Sequence, residues 1–536
     1  MRVLIVGAGP TGLMMALCLK EYGIHATIID KKSATTTYSK ALGMQARTLE
    51  VFQDLKLAKK MVESGMLMPK MFFYKGSKLL GKADFSWLET TYPFILGITQ
   101  STTESLLEQA LTAKGVNVKW NTSLEQLEEM EDRVFVTLNK EGTVASELFD
   151  YVIGCDGIHS KVREDLGISF KGMKDAENFA IADLEVEGNI KKDGVLAFIA
   201  EDNSGLVLFF PITEGRTRLI VNNCLLQTHT EPSLEYFQKI VKQRIQQELT
   251  LKNLHWSSIF NVQYRKASKF SKGKCFLVGD AAHVHSPIGG QGMNTGLQDA
   301  YNLAWKLAFV IKNQGYPHLL DTYHEERHLN AVKLLRMTKI MTKVGTARSF
   351  VLRLLRPHIL KFVLNKQGLS QLLTKKLSQL SNNYRSSSLS RTCMSWKNRF
   401  KCCKEVLKAG DRLLDISLNF QEEMNSLLDW VSGPHFSIVL FTKHLKGIDK
   451  QLRQLDFLIN AKYPHVEIFV IAQENGQTEL GDFTGKIASC DLKSYEKYGS
   501  RLPMLYVVRP DKYIGYKQEV IDPKCLENYL DTFLIG

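Results

Sequence analysis

The 536-residue chain is 44% hydrophobic and 10% aromatic, enough for roughly three ordinary globular cores and too apolar for a disordered protein. Its formal net charge of +13 comes from 69 Lys and Arg against 56 Asp and Glu, yet 17 basic residues and no acidic one fall between Ala331 and Lys404, leaving a slightly acidic remainder. Basicity confined to one interval, without a zinc-finger or RNP motif, argues against a nucleic-acid partner, and nine cysteines without a CxxC or a metal-ligand spacing predict no disulfide framework and no metal site.

No leader pattern precedes Arg2 and no window holds eighteen uninterrupted apolar residues, so a soluble, cytoplasmic protein is expected. Val3-Leu4-Ile5-Val6 leads into Gly7-Ala8-Gly9-Pro10-Thr11-Gly12, Leu13 to Tyr22 has a helical pattern, and a second strand, Ala26-Thr27-Ile28-Ile29, ends at Asp30. This is a βαβ dinucleotide fingerprint. Its glycines permit a tight turn, the approach of a pyrophosphate and close helix packing, while Asp30, followed by Lys31, stands where an acid holds adenosine ribose hydroxyls. Ala41 to Glu50 (ALGMQARTLE) opens a helix with Arg47, whose rigid fork of donors suits a phosphate, and a further helix opens at Gln100, in reach of a ribityl hydroxyl. Each is also the kind of polar residue that helix starts carry on a surface.

The strand Tyr151-Val152-Ile153 runs into Gly154-Cys155-Asp156-Gly157, and Ser160, Val162 and Arg163 begin a helix. Asp156 and Arg163 suit a charged dinucleotide, although Arg163 can equally pair with Glu164 or Asp165. Between about Ile168 and Val262, alternating runs predict an antiparallel sheet inserted into the nucleotide domain, with Phe198, Phe209, Phe210 and Pro211 either lining an aromatic site or filling core. Next, Cys275-Phe276-Leu277-Val278 ends in Gly279-Asp280 and continues through His283, His285 and Pro287 into Gly289-Gly290-Gln291-Gly292-Met293-Asn294. That is the pattern of a flavin-holding turn: Asp280 reaches a polyol hydroxyl, and bare backbone N–H groups face a ligand at the start of an amphipathic helix. The two histidines are expected to orient the loop rather than act as bases. In the basic interval, apolar runs alternate with Arg353, Arg356 and Lys361 around Pro357. This amphipathic stretch either meets acidic patches elsewhere on the chain, the favoured reading, or anionic lipid headgroups. Ser386 to Ser388 marks a linker, after which strands near 436–441, 466–471 and 504–508 alternate with helical patterns.

GAGPTG at 7–12, CDGIHSKVR at 155–163 and GDAAHVHSPIGGQGMN at 279–294 resemble, in order and separation, the three signatures of the group A flavoprotein aromatic hydroxylases, typified by para-hydroxybenzoate hydroxylase. The resemblance implies non-covalent FAD, with NADPH or NADH as co-substrate. It assigns Asp156, Gly157 and Arg163 to the FAD pyrophosphate and the passing NAD(P)H, and Gly279, Asp280 and Pro287 to the ribityl chain, with Pro287 against the flavin. Gly290, Gly292, Met293 and Asn294 surround the pyrimidine edge, Arg47 and Gln100 match further FAD contacts, and Pro287, Gly290 and Arg163 stand nearest the chemistry. AGDRLLD at 409–415 and VVRPDKYIGYK at 507–517 resemble the thioredoxin-like domain of phenol hydroxylase and related polyketide hydroxylases; lacking CxxC, that domain is structural or dimer-forming.

The implied fold is α/β: a Rossmann-like FAD-binding domain at 1–170 with an excursion near 70–98, a mixed or antiparallel substrate-binding sheet domain at 171–262, the returning FAD-binding part at 263–345, a basic helical connector at 346–400 and a thioredoxin-like domain at 401–536. The implied activity is single-component monooxygenation of a small phenolic or polycyclic aromatic with NAD(P)H and O2 through a flavin C4a-hydroperoxide. An FAD oxidase or dehydrogenase on the same fold, and a membrane-surface flavin-binding interaction protein, are its rivals. A homodimer and a weak peripheral membrane contact through 331–404 complete the expectations.

Overall fold

In the computed structural model all residues are described except 37–40, 201–204, 214, 223–230, 287–288, 346–349, 394–406, 422, 446, 474–482 and 499–502, together with the side chains of 174–177, 343–345 and 350–354. Short apolar runs buried on both faces form a parallel sheet. Val3–Val6 lies between Ala26–Ile29 and Tyr151–Gly154, Cys275–Leu277 extends the sheet past Tyr151–Gly154, and Ser271–Lys272 is an antiparallel edge. The register puts Ile29, Val6, Gly154 and Leu277 in one row. Three glycine-bearing turns that are far apart in sequence therefore leave the same carboxyl edge, where open α/β sheets bind ligands. The helices Pro10–Glu21 and Gly292–Ile311 cross tightly: a Cβ on Gly296 would stand 2.6 Å from Thr11 Oγ1.

A second sheet has eight strands in the order His283–Val284, Leu249–Ala267, Phe170–Gly188, Arg216–Asn222, Leu206–Pro211, Gly194–Ile199, Lys70–Lys75 and Lys78–Asp84. Gly194–Ile199 pairs parallel with Lys70–Lys75 and the other pairs are antiparallel, so the sheet is mixed. The two-residue period of a strand separates its phenylalanines. Phe198 and Phe209 point into a core under the helix Leu234–Arg244, with Phe237 and Val241, whereas Phe210 and Ile220 belong to the opposite face with Val262 and Phe260.

The third large sheet lies C-terminal. Phe436–Thr442, buried along its whole length, pairs parallel with Val466–Ala472 and antiparallel with Met504–Val508, which pairs antiparallel with Ile514–Gln518. This sheet docks on the helix Gly292–Ile311 through an apolar contact and an ionic layer. Trp305 meets Phe436 edge-on at 5.4 Å. Beside it, Arg509 donates to both oxygens of Glu326 at 2.6 and 2.9 Å and to both oxygens of Asp511 at 3.0 and 2.5 Å, and Lys306 donates to Glu326 at 2.8 Å. Two cations and two carboxylates are sealed from water. The serines at 386–388 form no free linker, because the Ser387 hydroxyl donates to Glu326 and the Ser388 hydroxyl to Glu325.

Truncating one member of such a layer strands its partners without charge compensation. Arg509→Ala is expected to lower unfolding stability by about 3–5 kcal/mol, measured by urea denaturation. A loss no larger than that of an exposed arginine would contradict the docking role.

Candidate functional site

Between the carboxyl edge of the parallel sheet and the second sheet lies a cavity of about 800 Å3. One side is made by the three turns: Gly7, Gly9, Pro10, Thr11, Asp30, Lys31, Asp156, Gly157, Asp280, Gly290, Gly292 and Met293, with Gln100 at the start of its helix. The other side is the sheet face carrying Phe210, Ile220, Phe260 and Val262. That face is held in place by Arg218, which donates to both oxygens of Asp183 at 2.6 and 2.7 Å and to the Ala41 carbonyl at 3.0 Å. No local pattern announces this clamp, since Arg216, Thr217 and Arg218 read as the polar end of an apolar strand.

Backbone conformation makes the first turn. Gly7 has φ +102°, and a Cβ there would stand 2.5 Å from the Cys155 carbonyl oxygen, so the first two turns can touch only at a glycine. Gly12 allows its helix to pack closely on the first turn and does not face the cavity, for its Cβ would overlap the Gly7 carbonyl at 1.8 Å. Gly9 has open space in the direction of a side chain, so bare backbone faces the cavity. The helices starting at Pro10 and at Gly292 have no side-chain cap on their first turns. Their unpaired N–H groups and positive dipole ends favour an anionic ligand.

The carboxylates differ in their surroundings. Asp30 accepts from the Ala8 N–H at 2.7 Å and the Lys32 N–H at 2.9 Å, which fixes it at the strand end. Asp156 accepts from the Val162 N–H at 3.2 Å through one oxygen while the other is buried without a partner; burial raises its pKa above the usual range. Asp280 is open to the cavity yet closely surrounded by protein, and desolvation raises its pKa, with Asp299 adding and His283 opposing. Gln100 donates to Glu104 at 2.8 Å, and Glu104 also accepts from the Thr36 N–H at 2.9 Å.

Behind the turn that runs from Gly279 to the helix Gly292–Ile311 sits a hub absent from the sequence expectations. Asp299 accepts from Arg327 at 2.5 Å, from His283 at 2.7 Å and from the Gly279 N–H at 3.3 Å. His283 therefore orients the turn. The available signal was spacing, for Gly292, Gly296 and Asp299 recur at four and three residues along one helix and so share a face. His285 lines the cavity; its Nδ1–H donates to the Ser286 carbonyl at 2.8 Å and its Nε2 is buried without a partner. Burial pushes the imidazole down to about 4, so it is neutral near pH 7.

Several expected contacts lie elsewhere. Arg47 is 2% exposed and turned from the cavity, donating to Glu50 at 3.0 Å and to the Asp511 carbonyl at 2.8 Å, because the start of its helix is covered by the C-terminal sheet. Arg163 forms neither the surface pair nor a wall of the cavity. It donates to the carbonyls of Ala281 at 2.9 Å and Ile158 at 2.8 Å and lies 4.0 Å over the Phe170 ring, tying the second turn to the third. Asn294, fully buried, accepts from the Gln45 N–H at 2.8 Å and donates to the carbonyls of Gly43 and Gly290, so it stitches backbone together behind the cavity. Gly279 serves the helix crossing, 2.7 Å from Thr11 Oγ1 at a would-be Cβ, and leaves the cavity to Asp280. Pro287 lies outside the described residues.

Residues 1–338 match the FAD binding domain family. The chain is 33% identical over 366 residues to 6-methylpretetramide 4-monooxygenase of Streptomyces rimosus, covering 68% of this chain and 65% of that protein. It is 35% identical over 347 residues to pentachlorophenol 4-monooxygenase of Sphingobium chlorophenolicum, covering 64% of each. These alignments thus span slightly less than two thirds of both relatives. Among solved structures, OxyS anhydrotetracycline hydroxylase from Streptomyces rimosus superposes with a TM-score of 0.75 at 25% identity, covering 99% of each chain.

A histidine held neutral by burial makes stability depend on pH. The unfolded chain takes up the proton near 6.5 and the folded chain only near 4, so the contribution is complete above about 6.5 and lost as pH falls toward about 4. His285→Asn keeps a donor for the Ser286 carbonyl and has no proton to gain. Its melting temperature should fall less between pH 7 and pH 4 than that of the parent. A parallel fall in both would contradict the buried, neutral state.

Proposed function

The chain belongs to the FAD binding domain family, and from that premise we propose that it is a single-component monooxygenase that hydroxylates a small phenolic or polycyclic aromatic with NAD(P)H and O2. The observation that carries this reading is one continuous cavity whose first side suits a dinucleotide and whose second side is aromatic and aliphatic. The relatives support it: two are named as monooxygenases, of 6-methylpretetramide and pentachlorophenol, and OxyS as an anhydrotetracycline hydroxylase.

FAD is the cofactor, and the residues present fit it: bare backbone at Gly9, two uncapped helix starts for phosphate or anionic flavin, and carboxylates at Asp30 and Asp280 for hydroxyls. When bound, FAD supplies hydride acceptance and oxygen activation. In this proposal Asp30, with Lys31 beside it, holds the adenosine ribose, Asp280 and Gln100 hold the ribityl chain, and Asp156 and Gly157 face the phosphates. Gly290, Gly292 and Met293 border the ring. Arg163 acts as a positioning residue by holding the Ala281 carbonyl one residue from Asp280. Phe210, Ile220, Phe260 and Val262 orient an aromatic ring and exclude water from it.

The strand order Val466–Ala472, Phe436–Thr442, Met504–Val508, Ile514–Gln518, with one parallel and two antiparallel pairings, supports a thioredoxin-like domain within 401–536. Its proposed role is to clamp the flavin-turn helix through Trp305 and Arg509. The basic interval adds a proposed peripheral contact with a lipid surface.

Two measurements test the reading. A panel of phenols and polycyclic aromatics should include compounds that stimulate NAD(P)H oxidation and gain one oxygen atom by mass spectrometry; stimulated oxidation with no oxygenated product across the panel would favour an oxidase or dehydrogenase. Asp280→Ala should keep its circular dichroism and bind FAD roughly ten- to a hundredfold more weakly, since a charged hydrogen-bond acceptor is lost with little core volume. Unchanged FAD affinity would refute the ribityl assignment.

A further inference from the structure

The helix Phe350–Asn365, which runs through Pro357, has one packed face and one bare face. On the packed face Arg356 and Leu364 are buried, and Leu364 lies against Gly81 of the edge strand Lys78–Asp84, where an added Cβ would stand 2.9 Å from it. On the other face Leu355, Ile359 and Phe362 are 48%, 52% and 58% exposed. Their spacing of four and three residues makes them one stripe along the helix. Exposed Lys361 and Lys366 flank it, with the Lys366 ammonium 5.3 Å from the Phe362 ring centre. The following helix, Gln367–Leu377, continues the pattern with Leu372, 50% exposed, and exposed Lys375 and Lys376.

The acidic remainder of the chain does not neutralise these lysines. Arg385, further along, pairs with Asp411 at 2.6 Å, but among the described residues none of Lys361, Lys366, Lys375 and Lys376 has a carboxylate within ion-pairing distance. A bare apolar stripe edged by unpaired ammonium groups on flexible stems is the arrangement of an interfacial helix, in which apolar chains enter the acyl boundary and lysines remain at the headgroups. A second copy of the same face would bring lysines against lysines. No helix among the described residues is long and apolar enough to cross a membrane, so contact is confined to the surface.

We propose that the outward face of these two helices rests on an anionic lipid bilayer, which names the surface and the partner of the peripheral contact above. The geometry connects this face to the cavity. Leu377 accepts at its carbonyl from Gln291 of the flavin turn at 2.9 Å, and Leu373 and Leu377 pack in one cluster with Phe210, which lines the cavity. Docking thus sets the aromatic side of the cavity behind lipid-facing helices, an arrangement suited to a substrate that partitions into lipid. That statement of substrate class rests on the hydroxylase reading; the docking itself does not.

The test is flotation of the full-length, FAD-loaded protein with vesicles of phosphatidylcholine alone or mixed with phosphatidylserine, at low and high salt. Binding should occur on the serine-containing vesicles only and weaken at least about fivefold at high salt. Lys361→Glu with Lys366→Glu, and separately Ile359→Ser with Phe362→Ser, should each weaken it by about tenfold or more while leaving the melting temperature and flavin absorbance unchanged. No binding at low salt, equal binding to both vesicle types, or unaltered binding by both variants would overturn the proposal. Loss of a dimer in the same variants without any vesicle binding would also overturn it and assign the face to a second copy. Flotation needs no turnover, so its failure and the failure of substrate-stimulated NAD(P)H oxidation are separately visible.

Discussion

The carboxylate of Asp299 is the point on which the site depends. It is fully buried, so isolation from water alone would raise its pKa, but Arg327 and His283 outweigh burial and hold it below the usual range. An ionised group in that position is tolerated because its lone pairs are occupied by Arg327, His283 and the Gly279 N–H. Each partner belongs to a different segment: the long helix Asp321–Gly345, the strand that joins the cavity sheet, and the turn ahead of Asp280. One charge therefore fixes the helix start, the turn and the sheet edge relative to one another. Arg327 extends the connection by donating to the Thr295 carbonyl and the Tyr384 hydroxyl.

The neighbouring residue on the same helix does the equivalent for the C-terminal sheet. Glu326 is likewise buried and held ionised, because Arg509 and Lys306 outweigh the penalty of burial. Lys306 in turn is pushed down to about 8 by burial, with Glu326 opposing. Adjacent side chains thus serve two layers, one facing the flavin turn and one facing the clamp. Both depend on the helix Asp321–Gly345 staying in register with Gly292–Ile311, while Trp305, buried, packs edge-on against Phe436 and Tyr323, buried, donates to the Leu277 carbonyl at 2.7 Å.

What was legible in the sequence follows from which constraints are local. The turns at 7–12, 155–157 and 289–294 could be recognised because strand ends, glycines and capless helix starts are local patterns, and the parallel register then necessarily gathers them. Gly9, Asp30 and Asp280 accordingly line the cavity. Arg47 and Arg163 were legible as guanidinium forks but not in direction. The carbonyl that takes Arg47 belongs to Asp511, 464 residues away, and no local pattern reports such a contact. Phe209 and Phe210 could be told apart only by strand phase, which places one under a helix and the other at the cavity. In the basic interval the composition was plain, whereas the partition into a paired end at Arg385 and unpaired lysines on the earlier helices required the fold.

That a single cavity accommodates a whole dinucleotide, from Asp30 at one end to the Gly290–Met293 turn at the other, is tested most directly by titrating the apoprotein with FAD and with FMN and following flavin fluorescence. FAD should bind at least about a hundredfold more tightly, because FMN lacks the adenosine that the Asp30 end is proposed to hold. Equal affinity for the two flavins would contradict the assignment of the Gly7–Asp30 unit to the adenosine half.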